Sequence, residues 1–244
     1  SALDEKSWKK NLEKTKKVLN EENVKAVGMA PIPAIELVEF LSPETEKHAT
    51  ERLNKYLSAS QYLGIKITEL MPGKSKDLPL YASASDREAV WREIVPKLRG
   101  FASAAREKDI TLVVESHERF ESNLLNRLDE AAHLCKMVNR PNVRVLADTW
   151  HMSLEEDSVG DAIRRNMDLI GHVHLGDSQR YMPGTGTIDH KDVLKILKSM
   201  DYDGYCTFTC HGFKDPIAEA RASLNYLRAL DDLLDVIIDH EKIG

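Results

Sequence analysis

The fold is indicated most directly by residues 143–175, VRVLADTWHMSLEEDSVGDAIRRNMDLIGHVHL. Two largely apolar runs, residues 143–148 and 169–175, enclose a segment of helical period at residues 159–167. Strands that helices cover on both faces have this continuous apolar character, which is typical of parallel sheets. The stretch therefore predicts a β-α-β unit.

The same alternation continues on both sides of this unit. Further strands are predicted at residues 23–28, 65–70, 110–115 and 205–210. Further helices are predicted at residues 6–19, 42–64, 86–108, 124–138 and 189–200, and from residue 217 to the C-terminus. Pro96 should kink or split the helix that contains it. The leucine stripe of the last helix predicts packing against the sheet.

Regular β-α alternation leaves two architectures, a doubly wound open sheet and a barrel. A doubly wound sheet usually carries a glycine-rich turn after an early strand, but the chain has only Gly184-Thr-Gly186, after the fifth predicted strand. Polar residues end several strands, where barrel enzymes place their chemistry. Without a linker or a composition shift, residues 1–244 are interpreted as one α/β domain of the TIM-barrel (β/α)8 type.

Composition excludes several classes of protein. The net charge of −6, from 34 basic and 40 acidic residues, argues against a nucleic-acid-binding protein. No apolar run approaches the length of a membrane span, and no secretory signal pattern is present. The three cysteines form no metal-binding or disulfide framework, which favours a reducing, cytoplasmic location.

Three ionisable residues end consecutive predicted strands: Glu115, Asp148 and His174. Each alone could be a helix cap or a satisfied polar group. Strand ends meet on one face of a parallel barrel, so the three together favour a shared divalent cation, with Mn, Co, Mg and Zn all suited to mixed oxygen and nitrogen ligands. His172, on the same strand as His174, is expected to point the opposite way and pack against helices.

Three further residues follow these strand ends in loops, where substrate-binding groups belong. They are Glu121, His151 and Arg180. An anion, a neutral donor and acceptor, and a cation together suit a polyhydroxylated small molecule. We therefore expect a sugar-like ligand, with neither nucleic acid nor membrane as a partner.

Five segments carry a family resemblance: residues 115–126, 148–158, 171–180, 183–186 and 202–205. Within residues 20–215 the chain resembles the xylose isomerase-like TIM-barrel superfamily of sugar isomerases and epimerases, and most closely the ketose 3-epimerase (tagatose/psicose 3-epimerase) group. The resemblance implies that Glu115 is a metal ligand and a catalytic acid/base, with Asp148 and His174 as further ligands. It implies that Glu121, His151 and Arg180 hold the substrate while a proton leaves and returns through an enediolate.

The chain departs from the family at the last strand. The family's second catalytic carboxylate, also its fourth metal ligand, corresponds to Thr209. His211 could complete the metal site if the strand end is bulged; alternatively, Cys210 and His211 are ordinary loop residues. The enzyme could then use one base, as an isomerase or dehydratase would, or His211 could replace the glutamate. The third alternative is a degenerate barrel that binds a sugar without converting it.

The strand count is the second departure, because about six strands are visible where a closed barrel needs eight. The resemblance aligns the first predicted strand with the family's third, so the first two strands are expected to be absent. We interpret the chain as N-terminally incomplete, with a naturally short form closed by a partner as the alternative. A homodimer or homotetramer is considered for the assembly. An endonuclease IV-like hydrolase shares the fold but fits the acidic charge poorly.

Overall fold

A computed structural model describes residues 5–243 of the chain. Six strands form one parallel sheet whose spatial order follows the chain order. The strands are β1 (Gly28–Met29), β2 (Ile67–Leu70), β3 (Thr111–Glu115), β4 (Val143–Asp148), β5 (Ile170–Leu175) and β6 (Cys206–Phe208). The predicted α/β fold with six strands of TIM-barrel type is confirmed.

Helices connect the strands and cover the outer face of the sheet. They are α1 (Glu5–Glu21), α2 (Pro43–Leu63), α3 (Ala84–Arg106), α4 (Leu128–Val138), α5 (Thr149–Glu155), α6 (Val159–Asn166), α7 (His190–Ser199) and α8 (Pro216–Ile243), with short 3-10 helices at Leu37–Leu41 and Met167–Leu169. Capping residues set several boundaries: Ser158 and Asp189 accept backbone N–H bonds at the starts of α6 and α7, and Gly64 ends α2 in the left-handed conformation. Among the described residues, no helix combines the length and apolarity that a membrane crossing requires.

Several predicted boundaries are wrong. The strand predicted at residues 23–28 pairs only at Gly28–Met29, and α4 begins at Leu128 because the residues before it form a loop. Pro96 does not split α3, which continues from Ala84 to Arg106. The short helix α5 was not predicted; it begins directly after the strand-ending Asp148.

The sheet curls around a single space, which we call the interior cavity. Residues from all six strands line it, among them Gly28, Ile67, Val113, Leu146, His172 and Thr207. The two outer edges approach each other before β1 and β6, where Lys25 Nζ donates to the Tyr205 hydroxyl at 2.9 Å. Because inward residues recur at every second position of a strand, the last inward residues meet at the carboxyl ends.

The last helix corrects another prediction. Helix α8 packs on α7 rather than against the sheet. Leu227 and Leu234 are buried, whereas Leu224 and Leu233 are 41% and 46% exposed. The leucine stripe was interpreted as core, but α7 covers only part of it. The prediction that this helix reaches Gly244 lies outside the described residues.

Candidate active site

The ends of β3, β4 and β5 bring together the three residues predicted to bind a metal. Glu115 and Asp148 are buried almost completely, and His174 is nearly so. His174 Nδ1 lies 3.6 Å from Glu115 Oε1 and 3.6 Å from Asp148 Oδ2. These three atoms are buried and have no hydrogen-bond partner. Unsatisfied buried polar atoms are rare and costly, so these atoms fit a divalent cation as a partner. Among the described residues Asp148 belongs to none of the three-residue groups whose ligand atoms all lie within 4.8 Å of one another, and it approaches the others through His174.

The two oxygens of Asp148 face different surroundings. Oδ1 accepts hydrogen bonds from the backbone N–H groups of Trp150 and His151 at 2.9 and 3.3 Å and so caps α5. Oδ2 has no hydrogen-bond partner and lies 3.6 Å from both His174 Nδ1 and Arg180 Nη2. The cap fixes the carboxylate so that its second oxygen points toward the site.

Glu115 is held by a histidine that was not predicted. His117 Nε2 lies 2.8 Å from Glu115 Oε2, and its Nδ1 lies 3.2 Å from Glu121 Oε2. Burial opposes the charged form of Glu115, but the hydrogen bond from His117 and the nearby His174 lower its pKa well below the usual range. Burial would lower the pKa of His117, but Glu115 and Glu121 raise it to about 10. This bridge connects the buried Glu115 to Glu121 at the exposed mouth.

The predicted substrate-binding residues His151 and Arg180 contact each other. His151 Nε2 lies 2.9 Å from Arg180 Nη1, and His151 Nδ1 lies 3.0 Å from Glu118 Oε2. A guanidinium only donates, so Nε2 accepts and the imidazole proton resides on Nδ1, facing Glu118. The His151 ring also stacks on His117 with centroids 4.2 Å apart. The pair is therefore pre-oriented by Glu118 and His117.

Arg180 lies in a tight loop after β5. Its φ angle of 60° is uncommon for a residue other than glycine. Asp177 organises this loop by accepting backbone N–H bonds from Ser178, Gly184, Thr185 and Ile188. The guanidinium lies over the Trp150 ring, 4.4 Å from its centroid. The loop and the indole together direct Arg180 toward the site.

A further carboxylate, Glu69 on β2, reaches the same site and is not among the predicted site residues. It is 5% exposed, and ligand atoms of Glu69, Glu115 and His174 all lie within 4.8 Å of one another. Burial and the adjacent Glu115 carboxylate raise the pKa of Glu69 well above its usual range. The strand-end position that identifies Glu115, Asp148 and His174 also applies to Glu69, which lies near the end of a predicted strand.

The residues after β6 occupy different positions. Thr209 and His211 line the interior cavity. His211 is exposed and, among the described residues, belongs to none of the three-residue groups whose atoms approach within ligand distance. The Cys210 thiol donates to the Leu175 carbonyl at 3.6 Å, and burial raises its pKa to about 11. The predicted role of His211 as a ligand stays a prediction.

The expected orientation of His172 is wrong. It lines the interior cavity on the same face as His174, with ring centroids 5.2 Å apart, and its Nε2 lies 3.0 Å from the Thr207 hydroxyl. Residues two apart in a strand point to the same face, which the expectation overlooked. Burial lowers the pKa of His172 to about 4, so the ring is neutral at pH 7.

The interior cavity has a volume of about 610 Å³ and opens beside Glu121, Arg180 and His211. This volume lies within the range of ligand pockets for small molecules. A depression of about 700 Å³ between α5, α6 and the loop after β5 lies outside the sheet and contains none of the three strand-end residues. The interior cavity is therefore the candidate active site.

The curled parallel sheet, with Glu115, Asp148 and His174 at its strand ends, indicates the family to which the protein belongs. A model of the xylose isomerase-like TIM barrel family matches residues 3–230, and the chain belongs to this family. The resemblance inferred from the motifs is thereby confirmed.

Particular relatives are sugar epimerases. The chain is 37% identical to a D-psicose 3-epimerase of Agrobacterium fabrum over 124 residues, 51% of this chain and 43% of that protein. It is 30% identical to an L-ribulose 3-epimerase of a Methylomonas species over 216 residues, 88% of this chain and 74% of that protein. The chain spans about half the length of several curated relatives that it matches.

Solved structures share the fold. A 3-keto-D-glucoside 4-epimerase of E. coli superposes with a TM-score of 0.80, covering 91% of this chain and 86% of that chain. The sequence identity is 24%, so this likeness concerns the fold alone.

Proposed function

We propose that the protein is a divalent-metal-dependent isomerase or epimerase that acts on a sugar or sugar derivative. The observation that carries the proposal is the convergence of Glu115 Oε1, Asp148 Oδ2 and His174 Nδ1, three buried atoms without hydrogen-bond partners. Membership in the family and the similarity to sugar 3-epimerases support the choice of reaction.

Each residue has a proposed role. Glu115, Asp148 and His174 would hold the cation, which when bound would polarise a ketose carbonyl. Glu115 would remove the carbon-bound proton, because His117 keeps it ionised and orients it. Glu121, His151 and Arg180 would hold substrate oxygens at the mouth of the interior cavity. Glu118 would keep His151 in the tautomer whose Nε2 accepts a hydrogen bond.

One observation favours a second candidate. Thr209 presents a hydroxyl where the family has a carboxylate, and a hydroxyl is not a base near neutral pH. The second candidate is therefore a barrel that binds a sugar without converting it. We further propose a cytoplasmic location, since Cys135, Cys206 and Cys210 are free thiols.

Exchange with deuterated water tests the first candidate. The protein, loaded in turn with Mn²⁺, Co²⁺ and Mg²⁺, is incubated with D-psicose and L-ribulose, and deuterium in the recovered sugar is measured by mass spectrometry and located by NMR. Deuterium at C3 indicates epimerisation, whereas deuterium at C1 or C2 indicates aldose–ketose isomerisation. The Glu115→Gln variant should show no exchange.

Metal analysis separates the two candidates. A stoichiometric divalent ion with deuterium exchange supports the enzyme. Sugar binding measured by calorimetry, with no bound ion and no exchange under any of the three metals, would support the non-catalytic barrel instead.

A further inference from the structure

We infer that Glu69 is a ligand of the metal site and supplies the carboxylate that Thr209 cannot. The inference rests on the proposed function and adds a residue that the family resemblance does not assign. It places the extra carboxylate on β2, the neighbour of β3, rather than at the end of β6.

The position of Glu69 follows from sheet register. β2 pairs with β3 in parallel, and Glu69 is the partner of Val113, two residues before Glu115. Its side chain lines the interior cavity together with Glu115 and His174. Ligand atoms of these three residues lie within 4.8 Å of one another, a spacing that a single cation can span.

The surrounding charges leave room for a cation. Glu69, Glu115 and Asp148 bring three carboxyl groups into a buried space, where a charged group without a partner is costly. His117 pairs with Glu115 through Oε2, on the side away from the unpartnered Oε1. Arg180 contacts His151 and Trp150, and its Nη2 also forms an ion pair with Asp148 Oδ2 at 3.6 Å, longer than a hydrogen bond. Glu69, Glu115 and His174 lie within ligand distance of one another, and Asp148 Oδ2 lies 3.6 Å from His174 Nδ1. Carboxylates with an imidazole form the mixed donor set that Mn²⁺ and Mg²⁺ accept.

The family's carboxylate is replaced by threonine at position 209, and Glu69 provides a carboxylate elsewhere in the same cavity. Thr209 lines the same cavity from the end of β6 but offers only a neutral hydroxyl. A site with Asp148, His174 and Glu115 alone would have three protein ligands. Glu69 adds a carboxylate within ligand distance of Glu115 and His174, without His211.

The test compares four forms of the full chain: wild type, Glu69→Gln, Thr209→Glu and the double variant. Mn²⁺ affinity is measured by isothermal titration calorimetry after removal of metals with EDTA. Glu69→Gln should weaken Mn²⁺ binding by more than about 100-fold, beyond the 10- to 100-fold that outer partners of a metal site typically contribute. The double variant should recover most of this loss, because Thr209→Glu returns a carboxylate to the same cavity. The surface change Glu93→Gln on α3 is the matched control and should leave the affinity unchanged.

A second measurement, thermal unfolding, shows whether the Glu69→Gln variant is folded. Glutamine is nearly isosteric with glutamate and removes a carboxylate from beside Glu115. In EDTA, Glu69→Gln should therefore unfold at the same temperature as wild type or higher, while the increase caused by Mn²⁺ shrinks. A variant that binds Mn²⁺ as wild type does would overturn the inference about Glu69 and leave the proposed function intact. Wild-type protein that binds none of Mn²⁺, Co²⁺ and Mg²⁺ would overturn both.

Discussion

Asp148 caps the helix α5 and also contributes an oxygen to the candidate metal site. Substitution can separate these two roles. Its Oδ1 caps the helix while Oδ2 faces His174. Asparagine is as good an N-cap as aspartate, whereas alanine is not. The residue therefore allows the fold and the metal site to be tested independently.

We predict that Asp148→Asn leaves the free energy of unfolding in EDTA nearly unchanged but strongly weakens Mn²⁺ binding. Asp148→Ala should lose metal binding as well and should also lower the free energy of unfolding by about 0.5–2 kcal/mol, the usual cost of losing a cap. Urea unfolding in EDTA and calorimetric titration with Mn²⁺ measure the two effects. Equal stability of the two variants would show that the cap contributes nothing.

Asp177 makes a similar contribution to the loop that carries Arg180. Burial opposes its charged form, but the backbone N–H groups of Ile188 and Ser178 outweigh this effect and lower its pKa. A carboxyl whose pKa is lower in the folded state stabilises that state above its unfolded pKa, near 3.9, and loses this contribution as the pH falls through the folded pKa.

Asp177→Asn should therefore lower the free energy of unfolding at pH 7 by about 1.5–3 kcal/mol, the range for hydrogen bonds to charged groups. The difference from wild type should shrink below about pH 4, because the Asp177 carboxyl of the unfolded chain takes up a proton there while the folded carboxylate, whose pKa is lowered, stays ionised to lower pH. Urea unfolding at pH 7, 5 and 3.5 measures this dependence. The exposed Asp232→Asn on α8 is the control, and a difference that stays constant with pH would contradict the prediction.

Two glycines within helices differ in how closely neighbouring side chains approach them. Gly160 in α6 faces α7, and an added Cβ would overlap Asp192 and come within 2.7 Å of Ile196 Cδ1. Gly100 in α3 is exposed, with nothing within 4 Å of an added Cβ. Alanine gains helix propensity at both positions, but only Gly160 lies at a close helix contact.

Gly160→Ala should lower the free energy of unfolding by about 1–3 kcal/mol, the cost of overpacking. Gly100→Ala should raise it by about 0.5–1 kcal/mol, because alanine restricts the unfolded chain and favours the helix. Thermal and urea unfolding of the two variants measure the difference. Stabilisation by both substitutions would mean that the side chains of Asp192 and Ile196 move aside at no cost.

The elements also show what the sequence could predict. The apolar runs that became β3, β4 and β5 were recognised because buried parallel strands lack alternation. The short edge strand β1 was misplaced, since two paired residues leave almost no pattern. The packing of α8 is predicted wrongly, because a leucine stripe does not show whether it packs against a sheet or against one neighbouring helix.

The site residues also differ in how well the sequence pattern predicts them. Glu115, Asp148 and His174 were found by their strand ends and by the resemblance, and the structure brings them together. Glu69 obeys the same strand-end rule but lies in a segment without a recognisable motif. His117 and Glu118 depend on loop geometry that spacing alone does not determine.

The proposed metal site would connect neighbouring strands of the sheet, β3 to β5, together with β2 if Glu69 is a ligand. A ligand that binds the folded state alone stabilises it by about 2.7 kcal/mol at 100 times its dissociation constant. We therefore predict that saturating Mn²⁺ raises the melting temperature above its value in EDTA by roughly 5–10 °C. Differential scanning fluorimetry measures this change. His174→Ala is the control and should show almost no increase, and an equal increase in both forms would place the stabilising ion elsewhere.

The sheet has two outer edges, at β1 and β6, which meet through Lys25 and Tyr205 rather than by strand pairing among the described residues. Exposed sheet edges invite pairing with another chain. The homodimer or homotetramer considered from the sequence stays a prediction that light scattering can test.

The indole beside Arg180 gives the protein an optical reporter of its own site. The chain has three tryptophans. Trp91 is buried in the core, Trp8 packs on Tyr56, and Trp150 carries the guanidinium of Arg180 on its face. A sugar that draws Arg180 toward its hydroxyl groups would change the emission of one identifiable fluorophore. Occupancy of the cavity could then be followed by intrinsic fluorescence in real time, without a label and before any product forms.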